Sequence, residues 1–154
     1  LGDCMNCDNR LFFIREHLDY TQVQMAKKLG VSRAYYSLCE TNTKFMTLNR
    51  LNDFCNIFQV DIDYVYYLTN KKTNNTKKIN KINPKTVGNN LCTILKDNNV
   101  TQKEIAQFLN TTQSTISSYC NGHTIILTSF AVQLAKKYSF SLDWLIGRSD
   151  TKKL

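Results

Sequence analysis

The chain reads as an all-α protein made of two copies of one helical unit, and three observations carry that reading. Residues 10–70 align with residues 90–150 at an offset of 80 without a gap. One Pro and five Gly in 154 residues are too few for the many tight turns of a β protein. Residues suited to starting and stopping helices recur at the same places in both copies. The expected organisation is a first unit over 1–70, a basic linker over 71–87 and a second unit over 88–154.

The repeat rests on eight identities: Leu11/Leu91, Ile14/Ile94, Thr21/Thr101, Gln22/Gln102, Ala26/Ala106, Leu29/Leu109, Ser37/Ser117 and Asp63/Asp143. Apolar pairs such as Met25/Ile105, Phe54/Leu134, Ile62/Leu142 and Val65/Leu145 fill the positions between them. Each copy is expected to form five short helices. Leu11, Ile14 and Leu18 make one face of the first. Thr21-Gln-Val-Gln24 and Thr101-Gln-Lys-Glu104 are capping boxes that open the second helix, which buries Met25, Ala26 and Leu29 and stops at Gly30, or at Asn110 in the second copy. Ser32 or Thr112 then caps the third helix, which runs to about Glu40 or Cys120 and ends near Asn42 or Gly122. Two more helices are expected at 47–58 and 61–68, repeated at 127–138 and 141–147.

Composition narrows the class. No run of about 18 apolar residues spans a membrane, and no charged leader with an apolar stretch opens the sequence, so the expectation is a cytoplasmic protein. The net charge of +8 is unevenly placed: −1 over 1–70, +6 over 71–87 and +3 over 88–154. A basic protein attracts polyanions. Four of the six cysteines, Cys39, Cys55, Cys92 and Cys120, fall where helices want small apolar residues, so no disulfide framework is expected. Cys4-Met-Asn-Cys7 has the spacing of half a zinc site, but no second pair completes it and His17 and His123 lie apart. With no glycine-rich phosphate loop and no ligand cluster, the chain is expected to be neither an enzyme nor a cofactor or metal protein.

Two short helices joined by a three-residue turn form a helix-turn-helix. The segment Thr21-Gln-Val-Gln-Met-Ala-Lys-Lys-Leu-Gly-Val-Ser-Arg33 resembles that motif in the lambda-repressor/Cro-like (XRE-type) regulators, and Thr101 to Gln113 resembles it again. Phe140-Ser-Leu-Asp-Trp-Leu-Ile-Gly-Arg-Ser-Asp150 is similar to the fifth helix and exit of phage repressor domains. The resemblance implies two tandem five-helix DNA-binding domains joined by a flexible Lys/Asn-rich linker. It also implies that Arg15 pairs with Glu40, a pair replaced jointly by Leu95 and Cys120 in the second copy.

In that geometry the third helix of each copy enters the major groove. The expected reading positions of the second copy are Gln113, Ser114, Thr115 and Ser118, beside Thr112 and Ser117, with Gln102, Asn121, Gly122 and His123 on phosphate. The first copy offers Arg33, Ala34, Tyr35 and Leu38, beside Ser32 and Ser37, with Gln22, Thr43 and Lys44 on phosphate. Tyr35, Tyr36 and Leu38 make this face the more apolar of the two. A flexible linker of 17 residues spans roughly 20–25 Å on average, against about 34 Å between successive major-groove half-sites.

The expected function is a sequence-specific transcriptional regulator, of phage or mobile-element repressor type, whose partner is a double-stranded DNA operator in the bacterial nucleoid. A second organisation stays open: one copy binds DNA while the other docks a protein, such as an antirepressor or toxin. Homodimerisation through the final helices, where Tyr64, Tyr66, Tyr67 and Leu68 are unusually apolar, is a further alternative. Derepression would then come from a protein antirepressor or an inducer.

Overall fold

A computed structural model describes residues 8–73 and 76–154. The described residues form ten helices: α1 (Leu11–His17), α2 (Gln22–Leu29), α3 (Arg33–Glu40), α4 (Leu48–Phe58), α5 (Ile62–Val65), α6 (Pro84–Asp97), α7 (Gln102–Phe108), α8 (Gln113–Cys120), α9 (Thr128–Tyr138) and α10 (Leu142–Leu145). No described helix is long and apolar enough to cross a membrane. Cys4 and Cys7 lie outside the described residues.

The two copies match down to the backbone. Left-handed residues occur as the pairs Asp19/Asn99, Gly30/Asn110, Asn42/Gly122, Gln59/Ser139 and Tyr67/Gly147, each 80 apart. Both expected capping boxes are present, with Thr21 and Thr101 accepting from the N–H of Gln24 and Glu104. Ser32 and Thr112 cap α3 and α8. Beneath these caps the cores repeat as well: Leu11, Met25, Ala26, Leu29, Tyr36, Leu51, Phe54 and Ile62 are buried in the first copy. Leu91, Ile105, Ala106, Leu109, Ile116, Ala131, Leu134 and Leu142 fill the same places in the second.

Two expectations about side-chain burial change. Tyr36, grouped with the outward face of α3, is fully buried, and its hydroxyl lies 3.5 Å from the Leu11 carbonyl oxygen. An aromatic at the i+4 position from the Ser32 cap points inward because the burying stripe of α3 runs through Tyr36, Cys39 and Glu40. Cys92, placed with the buried thiols, is exposed.

The predicted pairing of α1 with α3 is present. Arg15 Nε donates to Glu40 Oε2 at 2.8 Å and Nη2 to Oε1 at 3.0 Å, with Gln22 Nε2 adding a third contact to Oε1 at 3.3 Å. Burial alone would raise the Glu40 carboxyl, but the hydrogen bonds from Arg15 and Gln22 outweigh it and hold it below its ordinary range.

The copies pack on one another through α5 and α10. The Asp143 carboxylate accepts the backbone N–H groups of Ile62 (3.2 Å) and Asp63 (3.0 Å) at the start of α5. Asp63 returns the contact, accepting Leu142 N–H at 2.6 Å and the Ser141 hydroxyl at the start of α10. Residue i touching j while j's counterpart touches i's is an isologous contact, so an approximate two-fold axis relates the copies. Arg148 braces the same junction: 2 % exposed, it donates to Asp143, to Asn52 (2.9 Å), to Asn56 (2.6 Å) and to Thr76 (3.3 Å). Its counterpart in the first copy is Leu68, so the brace is one-sided.

The segment expected to serve as a free tether is instead anchored along this junction. Thr73 and Thr76 donate to Asp61, Lys77 N–H donates to the Arg148 carbonyl at 2.6 Å, and the Ile79 carbonyl accepts from both Asn52 and Asn56. Ile82 is buried, and the last residues assigned to the tether, 84–87, already belong to α6, with Asn83 as its cap and Pro84 in its first turn. The tyrosines expected to seek a partner chain are largely satisfied within this one. Tyr66 is buried and stacks on Phe45, and Arg10 lies over the rings of Tyr64 and Tyr67 at 4.2 and 3.9 Å.

Replacing Arg15 by Leu strands a buried carboxylate, and the expected loss is about 3 kcal/mol of unfolding free energy. The double substitution Arg15→Leu/Glu40→Cys installs the second copy's own pair and should regain most of that loss in urea or thermal melts. The junction carries a pH signature. Burial and the charge of Asp143 push the Asp63 carboxyl up to about 8, and burial raises Asp143 as well, against the nearby Arg148 guanidinium. A carboxyl raised on folding contributes stability that is complete below its unfolded value and lost as pH rises through its folded one. The melting temperature should therefore fall between about pH 4 and pH 8 and level off above that, and Asp63→Asn should flatten the decline. An unchanged slope in the variant would contradict the assignment.

Candidate nucleic-acid interface

The buried stripe of each third helix fixes what faces outward. With Tyr36, Cys39 and Glu40 turned in, α3 presents Arg33, Ala34 and Leu38 to solvent, while Tyr35 and Ser37 are half-buried beside them. With Ile116, Tyr119 and Cys120 turned in, α8 presents Gln113 and Ser114, flanked by half-buried Thr115, Ser117 and Ser118. Most of the sequence-predicted residues of each copy thus lie on one helix face and the loop after it, while Ser32 and Thr112 are the caps before those helices and Gln22 and Gln102 open α2 and α7. Thr43 and Lys44 are exposed behind α3, and Asn121 and His123 behind α8.

Short-range bonds hold these faces in place. The Tyr35 hydroxyl accepts the Thr47 N–H at 3.4 Å, and Lys44 Nζ sits 5.3 Å from the Tyr35 ring centroid, so helix and following loop form one surface. Burial raises the Tyr35 phenol above its ordinary value, and it stays protonated at neutral pH. Thr41 and Thr43 hydroxyls pair at 3.0 Å. In the second copy the hydroxyls of Thr112 and Thr115 pair at 2.9 Å, those of Ser118 and Thr124 at 3.1 Å, and Asn121 Nδ2 donates to Ser117.

The two faces differ chemically although their backbones match. The first carries cations, Arg33 and Lys44, beside an aromatic ring. The second is a neutral row of hydroxyls and amides, able to donate and accept at base edges. Gln22 is half-buried and its amide is drawn to Glu40, whereas Gln102 has Cys120 opposite and no such carboxylate.

Three supporting residues escaped the sequence reading. Asn9 donates to the Cys39 carbonyl (2.9 Å) and to Asn42 Oδ1 (2.6 Å), and so sets the left-handed turn that ends α3. Its match to Asn89, one position before the aligned block, was the available signal. Thr41 and Thr124 carry no signal beyond being small and polar.

The helix-turn-helix family model matches the chain twice, over residues 13–65 and 93–145, spans that enclose α2–α3 and α7–α8. No curated protein and no solved structure matches it. With two matches covering most of the chain, and with the caps, turns and buried stripes of both motifs in register, the chain belongs to the XRE-type helix-turn-helix family of DNA-binding transcription regulators and carries two such domains in tandem.

Proposed function

We propose that the chain is a repressor of phage or mobile-element type that reads one operator with both recognition helices at once, α3 on one half-site and α8 on the other. The reciprocal Asp63/Asp143 contact is the observation that carries this reading. A two-fold relation between the copies turns their third helices in opposite senses about one axis, the arrangement that suits two half-sites of inverted orientation. A single chain then does what two subunits do in a symmetric dimer. Because Arg33, Ala34 and Tyr35 stand where Gln113, Ser114 and Thr115 stand in the second copy, the two half-sites differ in sequence.

In this reading Arg33 pairs with guanine O6 and N7, Gln113 with adenine N6 and N7, and Ser114, Thr115 and Ser118 serve adjoining bases. Gln102, Asn121 and His123, with Gln22, Thr43 and Lys44 on the other side, hold phosphates and set the register. The lysines of the anchored segment add sequence-independent attraction.

A second reading, in which only α8 reads DNA and the first copy docks a protein antirepressor, draws support from one asymmetry. Phe13, Leu18 and Ile57 are exposed on the first copy, whereas the second has Thr93, Asn98 and Lys137 at those positions. Lys28, Lys72 and His17 edge the same area, a chemistry suited to an apolar helix with carboxylates on its flank.

Selection of bound sequences from a random DNA pool by the intact chain separates the two readings. The expected product is a two-part motif bound by one chain per duplex, with affinity falling steeply as salt rises. Arg33→Ala should relax one half of the motif and Gln113→Ala the other, each at a cost of about 1–3 kcal/mol. A one-part motif unchanged by Arg33→Ala would transfer the function of the first copy to protein docking.

A further inference from the structure

The closest approach of α6 to α8 has no side chain between the two backbones. A Cβ added at Gly88 would lie 2.5 Å from the Tyr119 carbonyl oxygen and 2.6 Å from that of Cys120, so only glycine fits there. One helical turn further along α6, on the same face, stands Cys92. Its Sγ lies 3.9 Å from the Cys120 carbonyl oxygen, which puts the two cysteines in contact across the helix pair. Helix backbones held this close bring their cysteines into the range that a disulfide spans.

The first copy provides a contrast at the same junction. There α1 is joined to the end of α3 by the Arg15–Glu40 pair, and the counterpart of Cys92 is Phe12. The second copy has Leu95 and Cys120 in place of the ion pair, which leaves two neighbouring thiols where the first copy has a charged tie.

We propose that Cys92 and Cys120 are a reversible dithiol–disulfide pair, oxidised by hydrogen peroxide, that bolts α6 to the C-terminal end of α8. The exposures assign the order of events. Cys92 is exposed and meets the oxidant first, while Cys120 is buried and its thiol is pushed up to about 12 by burial and by Cys92. The Cys92 thiolate attacks one peroxide oxygen, the O–O bond breaks, and the departing hydroxide takes up a proton to leave as water, giving a sulfenic acid at Cys92. The Cys120 sulfur then attacks the Cys92 sulfur, its proton passes to the leaving oxygen, the S–O bond breaks and a second water departs. Two thiols have lost two electrons and two protons, and one peroxide has become two waters. The loop closed by this bond contains α7, the turn and all of α8. This inference does not depend on which bases either copy reads.

The test uses the full chain with Cys4→Ser and Cys7→Ser, so that the N-terminal pair cannot contribute. After treatment with hydrogen peroxide and blocking of remaining thiols, peptide mapping should join the fragment holding Cys92 to the fragment holding Cys120. Free thiols should fall from four to two, and dithiothreitol should restore them. Adding Cys92→Ser, a change at an exposed position, should abolish the cross-link and leave Cys120 reduced. Oxidation of Cys92 to a sulfinic acid with Cys120 still free, a bond between the Cys92 residues of two chains, a bond from Cys120 to another cysteine, or no thiol consumed would each overturn the proposal.

Discussion

Everything in the arrangement of the two copies depends on an exchange of carboxylates. Each of the short helices α5 and α10 begins with backbone N–H groups that have no partner within the helix. In α5 those donors are met by an aspartate of the other copy, and in α10 Asp63 of the other copy accepts the Leu142 N–H while the helix's own Ser141 caps Trp144. Two acids at the centre of a buried junction repel, which with burial raises both carboxyls, and the junction holds because Arg148 stands beside Asp143 and because four backbone and hydroxyl donors converge on the pair. Removing either copy would leave the remaining aspartate without the donors it was buried against. The halves are therefore parts of one folded body rather than beads on a string.

The difference between what was readable in the sequence and what was not follows the distance between partners. Caps and turns are set by residues within four positions of each other, and Thr21, Ser32, Thr101 and Thr112 all act as their spacing indicates. The Arg15–Glu40 pair was readable across 25 residues because the repeat supplied a second case in which both partners had changed together. Nothing local marks Asp63 as the cap of a helix that begins 79 residues later. Its identity with Asp143 signals importance equally well for a contact inside each copy. Asn52, Asn56 and Ile79 are ordinary helix and loop residues until Arg148, more than 90 positions from either asparagine, is folded against them. The lysine-rich segment shows the same limit. Its composition describes a solvated chain, and its anchors lie on other elements.

On the candidate interface, the repeat located the outward face of each third helix but misplaced one ring. Tyr36 and Tyr35 are adjacent aromatics, and only the inward stripe through Cys39 and Glu40 decides that Tyr36 belongs to the core and Tyr35 to the rim. The same logic applies to the thiols. Cys92 is exposed at the edge of the α6–α8 contact, one turn from the glycine that brings α8 close, and periodicity alone could not distinguish it from the buried Cys120. Identical backbones with different surface chemistry mean that the fold tolerates both sets of side chains, so those differences are free to carry recognition.

Joining the paired copies through an anchored peptide changes how the assembly responds to its own abundance. Two separate subunits must meet before they can act together, so at low concentration their joint occupancy of a target grows with the square of chain number. Here the meeting is intramolecular, and dilution does not undo it. In the proposed two-headed reading, joint occupancy grows in simple proportion to the amount of chain, and the dose–response is graded rather than steep.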